Sequence, residues 1–113
     1  MKVLICCDSD IVLQLAGMSL EAAGHQAILD REPARLVPEA PGAQALLVDA
    51  ARAKQAPALL RDRGFRGRAL LFADGDPAAL ARQARDIGLD GAVAMTPPEE
   101  IAKRLTAALE ARR

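Results

Sequence analysis

The chain has 113 residues, of which 51% are hydrophobic and 27% charged, a composition that fits one folded domain and excludes an intrinsically disordered chain. Its 15 basic and 15 acidic residues balance, so we expect neither nucleic acid nor an anionic membrane as a partner. Aromatic residues make up 2% of the chain, Phe65 and Phe72, which leaves no stacking surface for bases or flavins.

The two cysteines and the N-terminal sequence favour a cytoplasmic location. Cys6 and Cys7 are adjacent, where a disulfide would be strained, and their spacing does not suit a metal site. The sequence contains no signal-peptide pattern and no apolar run long enough to span a membrane. We therefore expect a cytoplasmic single domain over residues 1–113, without an output domain.

The N-terminal quarter of the chain predicts a strand and a helix. Residues 3–7 form a continuous apolar run, which is typical of a buried strand. Ser9 or Asp10 would cap the following helix, and Gly24 would end it. Spacing predicts that this helix turns four apolar side chains toward the core: Ile11, Val12, Leu15 and Met18.

The rest of the chain continues the alternation of strands and helices. Apolar runs predict further strands at residues 25–29, 45–49, 69–73 and 92–95. Residues 50–55 are predicted as a loop. Turn and capping signals predict a short helix around residues 34–37, a helix at 57–63, a helix that Asp76 and Pro77 open before Gly88, and a terminal helix. Residues 96–99 have the spacing of a capping box for this last helix, whose C-terminal end suits Arg112 and Arg113.

Five strands alternating with helices imply an α/β fold, in which a parallel sheet carries helices on both faces. In the flavodoxin-like strand order 2-1-3-4-5, the first and third strands are neighbours, so Asp8 and Asp49 would face each other at the carboxyl edge of the sheet. Ligands of such folds bind at that edge. Asp49 therefore either serves a functional site or merely caps the next helix, and spacing alone leaves both interpretations open.

Five segments, taken in order, resemble the receiver domain of two-component response regulators. Residues 2–10 (KVLICCDSD) resemble the family's K-I-L-I-V-D-D-D-P, and residues 20–26 (LEAAGHQ) its L-E-x-x-G-H-x. Residues 46–49 (LLVD) are similar to the strand that ends in the family's phosphoacceptor aspartate. Residues 88–92 (GLDGA) and 98–101 (PEEI) resemble its G-A-D-G-Y and P-E-E-L. The resemblance implies a receiver-like three-layer sandwich.

The resemblance also implies roles for individual residues. Asp49 would be the phosphoacceptor, and Asp8, Asp49 and the backbone carbonyl of Ala51 would bind Mg²⁺. Four further positions depart from the family pattern. Cys7 replaces an acidic metal ligand, Ala73 a hydroxyl residue, Ala92 an aromatic residue and Met95 the lysine, with Thr96 as the alternative position if one residue is inserted.

These departures predict a degenerate receiver, or pseudo-receiver. Each lost contact to a transferring phosphoryl group removes a few kcal/mol of transition-state stabilisation, so phosphotransfer should be slowed by orders of magnitude. The leading hypothesis is a stand-alone signalling protein of a two-component or phosphorelay system that is not an enzyme and requires no cofactor. It would contact a histidine kinase or a downstream effector through its C-terminal half, the part that this family generally uses for output. Whether the protein forms a homodimer is left open by the sequence.

Two alternative functions remain open at this point. The first is a divergent response regulator that is still phosphorylated on Asp49, with weakly bound Mg²⁺. The second is a small flavin- or nucleotide-binding protein of flavodoxin-like fold, for which Ser9 is the sole phosphate-loop candidate.

Several polar residues have competing interpretations. Five acidic residues either form a rim that would bind a divalent ion or serve separate structural roles, and helix capping is the simpler explanation for two of them, Asp10 and Asp76. The five are Asp8, Asp10, Asp49, Asp74 and Asp76. A basic group in the middle of the chain would either dock an acidic partner or form a solvated face: Arg52, Lys54, Arg61, Arg63, Arg66 and Arg68. Cys7 is interpreted as a small apolar residue rather than a redox thiol, and His25 as a surface turn residue.

Overall fold

A computed structural model describes residues 1–110 of the chain and contains a five-stranded parallel sheet. The strands are β1 (Lys2–Cys6), β2 (Gln26–Asp30), β3 (Ala45–Val48), β4 (Arg68–Ala73) and β5 (Gly91–Ala94). They lie in the order β2-β1-β3-β4-β5, which confirms the predicted flavodoxin-like topology. Every strand boundary lies within one residue of its prediction.

Helices cover both faces of this sheet, as predicted. The α-helices are α1 (Asp10–Ala22), α2 (Gln55–Asp62), α3 (Pro77–Asp86) and α4 (Ile101–Glu110). Three 3-10 segments connect them to the strands: Pro33–Glu39, Ala50–Arg52 and Pro98–Glu100. The segment predicted as a loop after β3 therefore contains a helical turn, because the Asp49 side chain caps it.

The core has two layers that share the central strands. Because side chains alternate along a strand, Leu47 packs with α1 and α4, whereas Leu46 packs with α2 and the Pro33–Glu39 segment. Both leucines are fully buried, as are all four residues of β3. A smaller group, around Leu80 and Ala84 of α3, extends the second layer over β4 and β5.

The predicted buried face of α1 is wrong at three of its four positions, while Val12 is partly buried and packs against the core as predicted. The helix buries Leu13, Ala16, Gly17 and Leu20, whereas Ile11, Leu15 and Met18 are exposed. Gly17 explains this orientation, because a Cβ atom there would lie 2.9 Å from Leu29 Cδ1 of β2. The absence of a side chain at Gly17 lets α1 approach β2 closely along this face.

The helix caps match the predictions at two of three sites. Ser9 Oγ accepts a hydrogen bond from the Val12 N–H, and the Asp76 carboxylate accepts one from the Ala79 N–H. The predicted capping box at residues 96–99 is wrong, because the Thr96 hydroxyl donates to Asp74 Oδ1 instead. Arg112 and Arg113 lie outside the described residues.

Candidate functional site

The carboxyl ends of β1 and β3 bring Asp8 and Asp49 together. Asp49 directly follows β3, and its backbone N–H donates to the carbonyl of Cys6 at 3.1 Å. Asp8 lies in the turn after β1, and its backbone N–H donates to Asp49 Oδ2 at 3.1 Å. This neighbourhood is the one that the strand order predicted.

Arg52 forms ion pairs with both carboxylates at once. Its Nη1 lies 3.2 Å from Asp49 Oδ2, and its Nη2 lies 3.2 Å from Asp8 Oδ1. Its backbone N–H also donates to Asp49 Oδ1 at 3.1 Å. The side chains of Arg52 and Asp49 are 19% and 16% exposed, so this pair is largely shielded from solvent. A guanidinium group therefore lies between the two carboxylates.

A second guanidinium lies at the outer edge of this cluster. Arg31, which follows β2, has Nη2 3.5 Å from Asp8 Oδ1 and Nη1 3.7 Å from Asp10 Oδ2. Its side chain is 52% exposed, so solvent screens these contacts more strongly than those of Arg52. The Asp8–Asp49 pair is thus matched by one partly buried and one exposed positive charge.

The pKa of Arg52 reflects its two acidic partners. Burial acts to lower this pKa, but the negative charges of Asp49 and Asp8 outweigh it and raise the pKa above its ordinary value. Arg52 therefore stays positively charged throughout the accessible pH range.

The two cysteines of this edge are buried thiols on opposite sides of the sheet. Cys7 packs in the layer with α1, and Cys6 in the layer with α2. Burial raises the pKa of the Cys6 thiol to about 12, and burial also raises the pKa of Cys7. Both thiols are protonated at neutral pH, which fits the interpretation of Cys7 as an apolar core residue.

The three remaining positions that depart from the receiver pattern lie at the ends of β4 and β5. Ala73 ends β4, and its carbonyl accepts a hydrogen bond from the N–H of Met95, whose side chain packs against the α1 layer. Ala92 lies in β5 and lines an apolar groove of about 370 Å³ between α3 and α4, together with Leu80 and Ala107. These side chains supply neither a hydroxyl nor an amine to the Asp49 edge.

The residues at this edge do not fit the Mg²⁺ ion that the receiver resemblance implies. Within residues 1–110, no three side chains of His, Cys, Asp or Glu come together as a metal-binding group, so the predicted acidic rim is wrong. Asp76 caps α3, and Asp74 accepts a hydrogen bond from the Thr96 hydroxyl. Ala51 lies exposed in the turn after Asp49. The carboxylate oxygens that would bind a metal instead accept from Arg52 and from the Asp8 N–H.

Three other polar residues singled out in the sequence, Arg61, Arg68 and His25, have structural partners. Arg61 pairs with Asp90 and lies 5.4 Å from the centre of the Phe65 ring, and Arg68 donates to the carbonyl of Leu109. Arg61 and Arg68, two members of the basic group, therefore take part in separate contacts. His25 Nδ1 lies 3.2 Å from the N-terminal amine.

The three large apolar side chains that are exposed within residues 1–110 all lie on α1. Ile11 is 70% exposed, Leu15 40% and Met18 68%. Their spacing of four and three residues puts them on one face of the helix. Met18 also borders two grooves, each about 250 to 260 Å³, whose other walls include Glu21 and Glu99.

Arg52 is the principal site residue that the sequence did not reveal. It was grouped with neighbouring basic residues because they share charge and position in the chain. The signal that could have identified it is its place three residues after Asp49, within reach of a carboxylate at the start of a helical turn.

Comparisons with known proteins identify the fold. No protein-family model matches the chain, and no curated protein matches it. Among solved structures, Vibrio cholerae chemotaxis protein CheY4 is similar, with a TM-score of 0.71 and 18% identity over 96% of this chain and 98% of that protein. A response regulator from Thermotoga maritima matches with a TM-score of 0.70 and 15% identity over 96% and 97%.

An atypical orphan response regulator is similar as well, with a TM-score of 0.73 and 15% identity over 97% of this chain and 96% of that protein. It is described as having a phosphorylation-independent regulatory mechanism. At these identities the similarity shows a shared receiver fold and no more. No helix within residues 1–110 is both long and apolar enough to span a bilayer.

Proposed function

We propose that this protein is a stand-alone receiver-like signalling module that binds another protein without being phosphorylated. The structural neighbours supply the fold, and the atypical orphan regulator among them shows that a phosphorylation-independent mechanism has been described for this fold. The proposal keeps the degenerate-receiver interpretation of the sequence, in which Asp49 holds the phosphoacceptor position without acting there.

The observation that carries this proposal is the pairing of Asp49 with Arg52. Both Asp49 oxygens accept hydrogen bonds, and one of them is paired with the Arg52 guanidinium. A phosphoryl donor would therefore meet a carboxylate whose lone pairs and charge are already engaged. Cys7, Ala73 and Met95 add no group that would stabilise a transferring phosphoryl. The loss of several such contacts slows a reaction multiplicatively.

The exposed face of α1 supports protein contact. Glu21 borders a groove beside Met18, and Glu99 borders one beside Leu15 and Met18. These carboxylates favour a partner helix whose apolar side chains are flanked by lysine or arginine. A second copy of α1 is a poor match, because Asp10–Ala22 contains two acidic and no basic residues. This face of α1 is therefore a second candidate interface, beside the C-terminal half that the receiver resemblance implies.

Incubation with acetyl phosphate and Mg²⁺, followed by intact-protein mass spectrometry, tests phosphorylation directly. We expect no phosphoryl adduct on wild type or on Asp49→Asn under conditions in which a competent receiver is labelled in parallel. An adduct on wild type that Asp49→Asn abolishes would contradict the proposal and favour the divergent response regulator.

A further inference from the structure

We infer that Arg52 is an internal cation that takes the place of a metal ion between Asp8 and Asp49, and that its side chain excludes divalent metal from this pair. The inference deepens the proposed function and rests on it for one step, namely that the Asp49 site is not used for phosphoryl transfer.

The geometry of Arg52 is that of a bridging cation. Its two terminal nitrogens lie 3.2 Å from carboxylates that belong to two neighbouring strand ends. The planar guanidinium can bond two acceptors at once, whereas a lysine ammonium acts as a point charge. One side chain therefore joins the ends of β1 and β3, as a shared metal ion would.

The turn that follows β3 holds this cation in position. Asp49 Oδ1 accepts from the Arg52 backbone N–H at 3.1 Å while Oδ2 pairs with its side chain, so the same carboxylate fixes both ends of the residue. Because Arg52 is covalently attached three residues away, its effective concentration at the pair exceeds that of a free ion. The entropy lost when the pair forms is correspondingly small.

A divalent ion would have to displace this guanidinium. Two carboxylates with several retained waters are a common ligand set for Mg²⁺, so the pair would be adequate if it were free. With Arg52 in place, the carboxylate oxygens that a metal would need already accept hydrogen bonds. The metal would also be repelled by the positive charge of the guanidinium, which lies in contact with the same oxygens. Cys7 offers no third hard ligand to offset this repulsion.

Removal of the charge at position 52 should therefore create a metal site. We expect Arg52→Gln to bind Mg²⁺ at least about tenfold more tightly than wild type, because one adjacent positive charge is removed. The measurement is a titration of the ¹⁵N-labelled protein with MgCl₂, following the amide signals of Asp8 and Asp49. Wild type should show no saturable shift at millimolar Mg²⁺.

Two variants serve as controls. Arg31→Gln removes the exposed guanidinium that also contacts Asp8, and it should leave the protein as insensitive to Mg²⁺ as wild type. Asp49→Asn combined with Arg52→Gln should abolish the new site. Equal Mg²⁺ affinity in wild type and Arg52→Gln, or no saturable binding by a folded Arg52→Gln, would overturn the inference.

A measurement on wild type covers the case in which Arg52→Gln does not fold. The guanidinium signals of Arg52 should keep their positions as MgCl₂ is added, and their displacement would show that the metal competes successfully and would overturn the inference. The phosphorylation assay is read independently of both measurements. An adduct on Asp49 with a metal-insensitive amide spectrum would remove the proposed function and leave the cation exclusion intact.

Discussion

At the scale of single residues, charge and burial decide what the carboxyl edge of the sheet does. An aspartate after a buried strand is a reactive carboxylate only if its lone pairs are available. Asp49 accepts from the backbone of Asp8 and from both ends of Arg52, which makes it a structural acceptor that ties two strand ends together. In the proposed function, Arg52 therefore controls the chemistry of a residue that the receiver resemblance places at the phosphoacceptor position.

The buried thiol of Cys6 predicts a loss of stability at alkaline pH. Its side chain is fully buried and donates to the Arg31 carbonyl, and burial raises its pKa from 9.0 to about 12. The Cys6 thiol therefore loses its proton at a lower pH in the unfolded state than in the folded state. Its contribution to the free energy of unfolding is complete below about pH 9 and is lost as pH rises toward 12. Urea denaturation at increasing pH should show a falling midpoint in this window.

Cys6→Ala is the control for this effect. The variant lacks the titrating thiol, so its urea midpoint should fall less steeply over the same alkaline range. Its free energy of unfolding should decrease by up to about 1.4 kcal/mol less for each pH unit than that of wild type. Cys7 acts in the same direction and stays in both proteins. Parallel pH profiles for wild type and Cys6→Ala would contradict the assignment of the loss to Cys6.

At the scale of elements, α1 shows which part of a helix can be predicted. Its capping residue and its approximate extent follow from Ser9 and Gly24, because caps act locally. Its buried face cannot be predicted from the sequence, because two different faces carry apolar residues. One face has positions 11, 15 and 18, and the other has positions 13, 16, 17 and 20. On the buried face Gly17 packs against Leu29 of β2, a contact between two elements that local periodicity does not contain.

The exposed stripe of α1 predicts a preference for a basic amphipathic helix. Two synthetic helical peptides with the same leucine face, one flanked by lysines and the other by glutamates, provide the probe. We expect the lysine peptide to shift the amide signals of α1 in the ¹⁵N spectrum, because Glu21 and Glu99 border Met18. The glutamate peptide should shift them much less.

Matched variants separate this face from the C-terminal half. Ile11→Gln with Met18→Gln should abolish the shifts without changing the fold, since both side chains are exposed. Ala107→Gln, on the exposed side of α4 beside the apolar groove, should leave them unchanged. Shifts that instead cluster on β5 and α4 would favour the C-terminal face that the sequence indicates.

At the scale of the whole molecule, the sheet topology could be predicted, but the ion pairs that Arg52 forms at its carboxyl edge could not. Alternating strands and helices predict a parallel sheet with right-handed connections. The receiver resemblance then implies the strand order in which Asp8 meets Asp49, and the structure has that order. The Arg52 bridge depends on the backbone conformation of the turn after β3, a segment that the sequence predicts only as a loop. Side-chain placement in that turn requires the folded backbone.

The shared central strand predicts that the two core layers unfold together. Leu46 and Leu47 are both fully buried but pack in opposite layers, and either change to alanine should cost about 2–5 kcal/mol. Because β3 belongs to both layers, each variant should retain a single cooperative transition in urea, monitored by circular dichroism and by methyl signals from both layers. Ile11→Ala, which removes an exposed side chain, should change the free energy of unfolding by less than about 0.5 kcal/mol. If Leu46→Ala lost the methyl signals of its own layer at a urea concentration that preserves those around Leu47, the layers would be independent and the sheet would not couple them.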